Sequence, residues 1–193
     1  MKKVILFAFA IAVTQLLNAQ RSNVEWGIKG GINAANLSIE PSFNSDSRIG
    51  LHLGGLAHIH VSEHFALQPE LMVSGQGAKY ADDREDKFTY LNVPVLAQVM
   101  FGEGFRVQTG PQFGLLLNAE FENGDDETDI DDNFKRGDVA WSFGGGWLSN
   151  SGIGIDVRYN LGLSNISKND NAEVKNRVWQ FGLFYQFRNN LRR

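Results

Sequence analysis

The stretch NRVWQFGLFYQF, at residues 176–187, decides the fold of this chain. Its side chains alternate with a period of two, which is typical of a β-strand whose two faces meet different surroundings. One face is apolar and aromatic: Trp179, Phe181, Leu183, Tyr185 and Phe187. The other face mixes polar and small residues with apolar ones: Val178, Gln180, Gly182, Phe184 and Gln186. This second face is too polar for the centre of a soluble sandwich and is typical of the interior of a small membrane barrel.

The same alternation recurs upstream in seven candidate strands, at 24–37, 48–61, 65–80, 88–101, 105–118, 137–149 and 153–164. They are joined in turn by polar loops, at 38–47, 81–87, 120–136 and 165–175, and by three-residue turns, at 62–64, 102–104 and 150–152. Outer-membrane barrels have an even strand count, long extracellular loops and short periplasmic turns. We therefore predict an all-β fold, an eight-stranded antiparallel transmembrane β-barrel, with odd-numbered side chains facing outward in all eight strands.

Aromatic residues cluster near the strand ends, where a membrane barrel has its interfacial girdles. The predicted girdle at the tight-turn end comprises Trp26, Phe65, Phe101, Phe105, Trp147, Tyr185 and Phe187. The predicted girdle at the long-loop end comprises Phe88, Tyr90, Phe121, Trp141 and Trp179. Because proline lacks a ladder donor, we also expect β-bulges at Pro69, Pro94 and Pro111. A soluble lipocalin-like barrel would reverse the two faces, but the strand lengths and the glycines of the polar face favour the membrane barrel.

Composition restricts the class of protein further. The chain has 193 residues, no cysteine and a net charge of −4. The absence of cysteine excludes disulfides, thiolate chemistry and a lipoprotein anchor, and the absence of a basic run in the mature domain argues against nucleic acid as a partner. Residues 1–20, MKKVILFAFAIAVTQLLNAQ, have the lysines and the apolar run of a cleaved secretory signal peptide. Residues 21–193 would then form one β-barrel domain in the outer membrane.

Five segments of the chain resemble the PorT-like outer-membrane β-barrel family of Bacteroidota-type Gram-negative bacteria. They are WGIKGGINAANLS (26–38), FALQPELMVSGQG (65–77), YLNVPVLAQ (90–98), TGPQFGLLL (109–117) and WQFGLFYQF (179–187). The resemblance implies an eight-stranded, OmpA-like barrel and, for the PorT branch, a part in protein secretion across the outer membrane. The end of the chain also resembles the signal that the barrel insertion machinery reads, at Gln180, Gly182, Tyr185 and Phe187. Residues 188–193 extend past the last aromatic, so this signal would be slightly internal.

Charged residues on the inward face predict how the interior is filled. Three cations and two anions share this face: Lys29, Arg106, Arg158, Glu70 and Asp156. Because unpaired charges are costly in so small an interior, we expect an ion-pair network that plugs the barrel. The alternative is a small gated channel.

Two constellations on the inward face have a functional and a structural interpretation. His52, His58 and His60 could hold zinc with Glu70, but a polar lumen explains them equally well. Ser74 with His52 and Glu70 could serve a lipid-modifying enzyme, yet no nucleophile motif surrounds any serine. We therefore predict no catalytic residues, metal or cofactor.

The acidic loop 122–133, ENGDDETDIDDN, could bind calcium, but it lacks the glycine and the terminal glutamate of an EF-hand. We expect a solvated extracellular loop instead. The sequence as a whole favours a structural or interaction protein of the outer membrane. Its expected partners are membrane lipid, the barrel insertion machinery and secretion or surface partners at the loops.

Overall fold

The computed structural model describes residues 24–40, 43–80, 84–123, 126–169 and 172–187. The strands are β1 (Val24–Glu40), β2 (Phe43–Asn44), β3 (Asp46–His60), β4 (Phe65–Lys79), β5 (Arg84–Phe101), β6 (Phe105–Asn123), β7 (Asp126–Asp129), β8 (Gly137–Leu148), β9 (Ile153–Gly162) and β10 (Glu173–Gln186). A short 3-10 helix covers Asp131–Asn133. The predicted signal peptide at 1–20 lies outside the described residues. Among the described residues, none of the helical segments could span a lipid bilayer.

Eight long strands of the described chain form a closed antiparallel sheet. Their order around the wall is β1, β3, β4, β5, β6, β8, β9 and β10, and β10 pairs again with β1. That last ladder runs from Gly27 opposite Gln186 to Glu40 opposite Glu173. The short strands β2 and β7 only extend hairpins, by pairing with β1 and β6 at the long-loop end. The predicted eight-stranded barrel is confirmed, and its closure leaves no sheet edge within the wall.

The distribution of apolar and polar side chains between the two faces of the wall is the reverse of that in a soluble protein. Large apolar side chains are exposed along the outside, among them Ile28, Ile32, Leu51, Leu53, Leu71, Val107, Phe113, Phe143, Ile155, Phe181 and Leu183. Polar side chains are buried inside, among them Asn33, Gln68, Ser74, Gln98, Gln108, Gln112, Asn160, Gln180 and Gln186. This arrangement is stable only where the outside meets hydrocarbon.

One strand departs from the predicted parity. In β1 the exposed residues are even-numbered, such as Trp26 and Ile28, so the prediction of odd-numbered outward residues is wrong for this strand. The register explains the change, because Ile28 lies opposite Gly55 of β3 and Tyr185 of β10. Side chains directly opposite each other share a face, so outward odd residues on both neighbours place even residues of β1 outward.

The register shifts lie away from the prolines, so the prediction of bulges at those positions is wrong. The pairing continues in one register past Pro69, Pro94 and Pro111. It shifts instead between Ser47 and His52 of β3 and between Thr89 and Tyr90 of β5. The second shift leaves one extra residue, Leu117, in β6, because Thr89 faces Asn118 while Tyr90 faces Leu116.

The aromatic girdles are confirmed at one end and corrected at the other. The predicted aromatics of the tight-turn end are all exposed on the outside: Trp26, Phe65, Phe101, Phe105, Trp147, Tyr185 and Phe187. At the long-loop end Trp141 and Trp179 are exposed, and Phe121 is partly buried. Phe88 and Tyr90 are each only 1% exposed, because they share the inward face of β5 with Asn92. These two rings belong to the interior and not to a girdle.

The acidic loop has more regular structure than predicted. β6 continues to Asn123, where it pairs with β7 in a hairpin that ends with Glu120 opposite Asp129. The 3-10 helix follows, and the carboxylate of Asp131 accepts a hydrogen bond from the backbone N–H of Ala119. The strands of this hairpin therefore continue the wall beyond the membrane-facing belt.

Candidate functional site

Four charged side chains meet inside the barrel. Arg158 of β9 donates to Glu70 of β4 through Nη1 to Oε2 at 2.9 Å and through Nη2 to Oε1 at 2.7 Å. Lys29 of β1 contacts Asp156 of β9 and lies 3.8 Å from Glu70. Asp156 also lies 3.4 Å from Arg158. The cluster, named here the lumen charge cluster, contains two cations and two anions and is electrically neutral.

The lumen charge cluster obstructs the interior over its full width. β4 and β9 stand on opposite sides of the eight-stranded wall, so the pair of Glu70 and Arg158 spans the lumen. Arg158 is fully buried, and the other three members are nearly so. Gln68 donates to Glu70 at 2.8 Å and Gln108 donates to Asp156 at 3.2 Å, which adds polar partners for both carboxylates. Paired, hydrogen-bonded charges are the form in which a buried carboxylate is tolerated.

Gly182 of β10 provides the space that the cluster occupies. A Cβ on this residue would lie 2.4 Å from Asp156 Oδ1 and 2.9 Å from Lys29 Cε. Two other residues of the predicted assembly signal, Tyr185 and Phe187, lie outside, where their rings pack edge to face at 5.3 Å. The fourth, Gln180, is inside. The predicted signal therefore combines two lipid-facing rings with a glycine that the interior requires.

Arg106 lies apart from the lumen charge cluster, although the sequence placed it in the same network. It is the second residue of β6, at the tight-turn end, and is 5% exposed. Its guanidinium carbon stands 5.4 Å from the centre of the Phe184 ring. Its Nε and Nη1 have no hydrogen-bond partner in the structure, and no carboxylate of the described residues forms an ion pair with it.

His52 and Ser74 are cross-strand neighbours, but Asn33 separates their side chains. The amide nitrogen of Asn33 donates to Ser74 Oγ at 3.0 Å, and its oxygen lies 2.8 Å from His52 Nδ1. Because an amide oxygen only accepts, His52 must donate through Nδ1 in this contact. Ser74 is fully buried and also accepts from Gln76. The hydroxyl is therefore held by two amides rather than by the imidazole.

The remaining histidines lie towards the tight-turn end. His58 is buried, with Nδ1 3.2 Å from Gln68 Oε1, and its ring packs edge to face with His60 at 4.5 Å. Within the described ranges, no group of three or more histidine, aspartate or glutamate side chains has the arrangement of a metal site.

An apolar cluster closes the long-loop mouth, which the sequence analysis missed. Its buried members are Leu37, Ala78, Phe88, Tyr90, Leu116, Ala119, Ile166 and Val174. Loop residues Ile130 and Phe134 pack against it, and the rings of Phe134 and Phe88 are 4.8 Å apart. The sequence does contain a signal for this cluster, because Ile130, Phe134 and Ile166 are single apolar residues within otherwise polar loops.

Two loops hold this apolar cluster, named here the mouth cap, in place. The segment after β7 and the segment after β9 meet in an antiparallel bridge between Phe134 and Ser167. Lys135 N donates to Ile166 O at 2.7 Å, and Lys168 N donates to Asn133 O at 3.0 Å. The interior is therefore closed at the mouth by apolar packing and lower down by the lumen charge cluster.

Comparisons with known proteins agree with this architecture. The chain matches the family model of the outer membrane protein beta-barrel domain over residues 18–168. Ail, the attachment invasion locus protein of Yersinia pestis, is 17% identical with a TM-score of 0.55, over 86% of this chain and 99% of Ail. Neisserial surface protein A is 11% identical with a TM-score of 0.59, over 84% of this chain and 97% of the neisserial chain.

A further Ail structure contains the heparin analogue sucrose octasulfate, and it aligns with a TM-score of 0.53 at 18% identity over 86% of this chain and 99% of Ail. At these identities the structural likeness shows the fold alone. No curated protein sequence matches the chain. The family match spans most of the barrel, and it fits the apolar outer belt and the polar interior. The chain belongs to the outer membrane protein beta-barrel domain family and is located in the outer membrane.

Proposed function

We propose that this protein is a non-enzymatic, non-conducting outer-membrane barrel that acts through its extracellular loops as a surface interaction protein. The observation that carries the proposal is the double closure of the interior. The mouth cap seals the extracellular end, and the pair of Arg158 and Glu70 crosses the lumen below it. A barrel filled in this way offers partners its outer surfaces and not a passage.

Recordings in planar lipid bilayers test the closed interior. We expect the purified wild-type protein to show no large steady conductance. A control variant lacks both obstructions, with Phe134→Ser in the mouth cap and alanine at Lys29, Glu70, Asp156 and Arg158. We expect the folded molecules of this variant to conduct ions across the bilayer. A stable porin-like current through the wild-type protein would contradict the proposal.

The extracellular ends of the strands form a surface suited to binding. Cross-strand ion pairs join β3, β4 and β5 above the membrane belt, where Arg48 and Lys79 lie 3.2 and 3.3 Å from the carboxylate of Glu85. Lys87 of β5 pairs with Glu122 of β6 in the same way. Such pairs add little stability individually, but they limit the movement of the strand ends that carry the loops.

The charge of the largest loop favours a cationic partner. Residues 122–133 contain seven acidic and no basic side chains. A sulfated ligand such as the one bound to Ail would therefore be repelled from this loop. Crosslinking and co-purification from native membranes should recover a partner with the wild-type barrel and lose it when residues 124–129 are replaced by a glycine-serine linker. Replacing 168–172 provides a control of similar size. Recovery of the same partner without the acidic loop would contradict this assignment.

The non-enzymatic part of the proposal rests on Ser74. Its hydroxyl is buried and bound to Asn33 and Gln76, so neither His52 nor a lipid ester has direct access to it. We expect Ser74→Ala and His52→Gln to leave the lipid A and phospholipid profiles of the host unchanged. A specific lipid species that disappears in both variants would instead support a lipid-modifying enzyme.

A part in protein secretion is the second candidate, favoured by the resemblance of five segments to the PorT-like family. On this proposal, deletion of the gene in its native host depletes particular proteins from the culture medium while they accumulate in the periplasm. An unchanged set of secreted proteins would remove the candidate.

We further propose that Gln180, Gly182, Tyr185 and Phe187 form the signal for the barrel insertion machinery. Tyr185→Ala with Phe187→Ala should slow assembly catalysed by the machinery more than spontaneous folding into detergent. Leu183→Ala, on the same outward face, is the control. Equal slowing of both reactions would show a structural role alone.

A further inference from the structure

We propose that the outer surface of β1, β10 and β9 contains a binding site for the phosphate group of an outer-leaflet lipid, anchored by Arg177. Arg177 is exposed on the outward face of β10, two residues closer to the long-loop end than Trp179. It lies opposite Asn36 of β1 and opposite Leu161 of β9. The site is on the lipid-facing surface, so it does not depend on the closed interior or on the acidic loop to which the proposed function refers.

Arg177 lies at the level of the lipid headgroups. Ten residues separate it from Phe187, which belongs to the exposed girdle of the tight-turn end. Ten residues of a strand tilted by about 40° rise roughly 26 Å along the membrane normal, and the apolar band of a membrane barrel is about 25 Å tall. The long loops of such barrels are extracellular, so the headgroups beside Arg177 are those of the outer leaflet.

Arg177 is the outward-facing cation of the wall that has no carboxylate partner among the described residues. The three outward-facing lysines of the described strands each pair with a glutamate: Lys79 with Glu85, Lys87 with Glu122 and Lys175 with Glu173. Within the described ranges, no carboxylate forms an ion pair with Arg177. An unpaired arginine at the membrane surface is attracted by anionic headgroups.

Two neighbouring side chains provide further hydrogen-bond donors. Asn36 lies directly opposite Arg177, and Tyr159 lies diagonal to it on β9. The Tyr159 ring is held 4.9 Å from the ring of Trp179. Neither Asn36 nor Tyr159 uses its side chain in a hydrogen bond to any residue that the structure describes. Diagonal neighbours on one face are about 7–8 Å apart, which is within reach of long side chains. Three unused donor groups on three adjacent strands therefore flank one position on the outer surface.

This arrangement favours a phosphate group that belongs to a lipid. The planar guanidinium of Arg177 matches two phosphate oxygens through paired, charge-assisted hydrogen bonds. The remaining phosphate oxygens are then available to Asn36 and Tyr159. Leu161 and the exposed Trp179 present apolar surface next to these donors, and acyl chains attached to the phosphate-bearing headgroup can cover it. Free phosphate would leave this apolar surface unused.

The test follows the Arg177 Nε–H resonance by NMR in the full-length protein, refolded in dodecyl maltoside, a detergent without phosphate. One arm adds lipid A that carries its phosphate groups, and a second adds the same lipid A after enzymatic removal of these groups. A third arm adds sodium phosphate against sodium chloride of equal ionic strength. We expect a saturable shift with phosphorylated lipid A, and binding weaker by at least about tenfold in the other two arms, since hydrogen bonds to a charged group are lost or lack the lipid.

Variants assign the contacts by the affinity for phosphorylated lipid A, measured by calorimetry. Arg177→Gln should weaken binding about tenfold, because it removes a charge-assisted contact, and Asn36→Ala and Tyr159→Phe should each weaken it roughly threefold. Lys87→Gln is the matched control and should leave the affinity unchanged, because Lys87 is already paired with Glu122. Arg177 is exposed and has no ion pair in the described chain, so Arg177→Gln should unfold at the wild-type urea concentration. A loss of binding is then not a loss of fold.

Each contrary result overturns the proposal. An unshifted wild-type resonance with phosphorylated lipid A does so without relying on any variant. Equal affinity for the two forms of lipid A would show that the phosphate is not recognised. Equal binding of inorganic phosphate would remove the assignment to a lipid, and equal affinity of wild type and Arg177→Gln would remove Arg177 as the anchor. Bilayer conductance and partner recovery, which test the proposed function, are independent of all four results.

Discussion

Arg158 and Glu70, 88 residues apart in the sequence, form a bidentate ion pair between opposite walls of the barrel. This pair ties β9 to β4, two strands that share no backbone hydrogen bonds. Lys29 and Asp156 attach to the same pair, so the first and the last part of the barrel are joined through one set of side chains. The stability of the barrel should therefore depend on these charges as a group.

Glu70→Gln should destabilise the barrel by roughly 3–5 kcal/mol, because it leaves Arg158 buried without its main anion. The double variant Glu70→Leu with Arg158→Met should lose less free energy of unfolding than the sum of the losses in Glu70→Leu alone and Arg158→Met alone. The reason is that the double variant leaves neither member of the pair buried without its partner. Urea unfolding in lipid vesicles, followed by tryptophan fluorescence, measures both. Lys175→Gln is the control, because its pair with Glu173 is partly exposed and should contribute less than about 1 kcal/mol. Additive losses would refute the coupling.

Gly182→Ala should destabilise the barrel by about 1–3 kcal/mol, because the new methyl group overlaps Asp156 Oδ1 and Lys29 Cε. Gly55→Ala is the matched control on the outer face, where the nearest atom to a new Cβ is 3.7 Å away. Heat-modified mobility in gels and urea midpoints compare the two variants. If both alanines had the same effect, backbone flexibility and not contact with the cluster would be the cause.

Phe134→Ala should loosen the mouth cap while leaving the wall intact. The variant loses the edge-to-face contact with Phe88, and such aromatic contacts contribute about 0.5–1.5 kcal/mol beyond burial. We expect faster hydrogen exchange at the Lys135 amide, which bonds to Ile166 across the two loops, and unchanged exchange in the central ladders. Lys135→Ala is the control, because that side chain is exposed. Unchanged exchange in Phe134→Ala would show that the loops hold without this ring.

Tyr80 should remain protonated at alkaline pH. Burial, the hydrogen bond to Asp86 at 2.7 Å and the negative charge of Asp86 raise the pKa of Tyr80 above its usual value of 10.0. Since the folded pKa exceeds the unfolded one, the stabilisation is fully present below pH 10 and is lost as the pH rises through the folded pKa. Ultraviolet titration should show a late tyrosinate component that loses one tyrosine in Tyr80→Phe and that moves in part to lower pH in Asp86→Asn. A component unaffected by Asp86→Asn would belong to another tyrosine.

Alternation along the strands was enough to predict the strand number, the loop order and most of the outer belt. It succeeds because a membrane barrel separates hydrocarbon from a polar lumen across every strand, so each residue carries the signal. Parity within β1 is visible in the strand's own alternation, since Trp26, Ile28 and Ile32 are apolar while Lys29 and Asn33 are polar. The prediction of odd-numbered outward residues failed there because it extended the parity of the other strands to β1. The extra residue Leu117 is different, because it appears only once β5 and β6 are aligned.

The interior was predictable in kind but not in detail. Inward charges indicated ion pairs, and four of the five predicted residues meet, but nothing in the spacing separates Arg106 from the others. Phe88 and Tyr90 were assigned to a girdle because aromatic residues near strand ends usually face lipid. Their inward position depends on Ile130, Phe134 and Ile166 arriving from distant loops, a tertiary contact that strand patterns do not contain.

The pairing of β1 with β10 has a consequence for biogenesis. Lys29 lies in β1 and Asp156 in β9, the two strands that flank β10, and they face each other behind Gly182 of β10. In an open sheet Lys29 would be separated from Asp156 and Glu70 from Arg158, and hydrocarbon disfavours charges that lack these partners. These charges are therefore neutralised only when β1 pairs with β10 and closes the barrel. Insertion of an intermediate that has not closed into the bilayer is then energetically unfavourable.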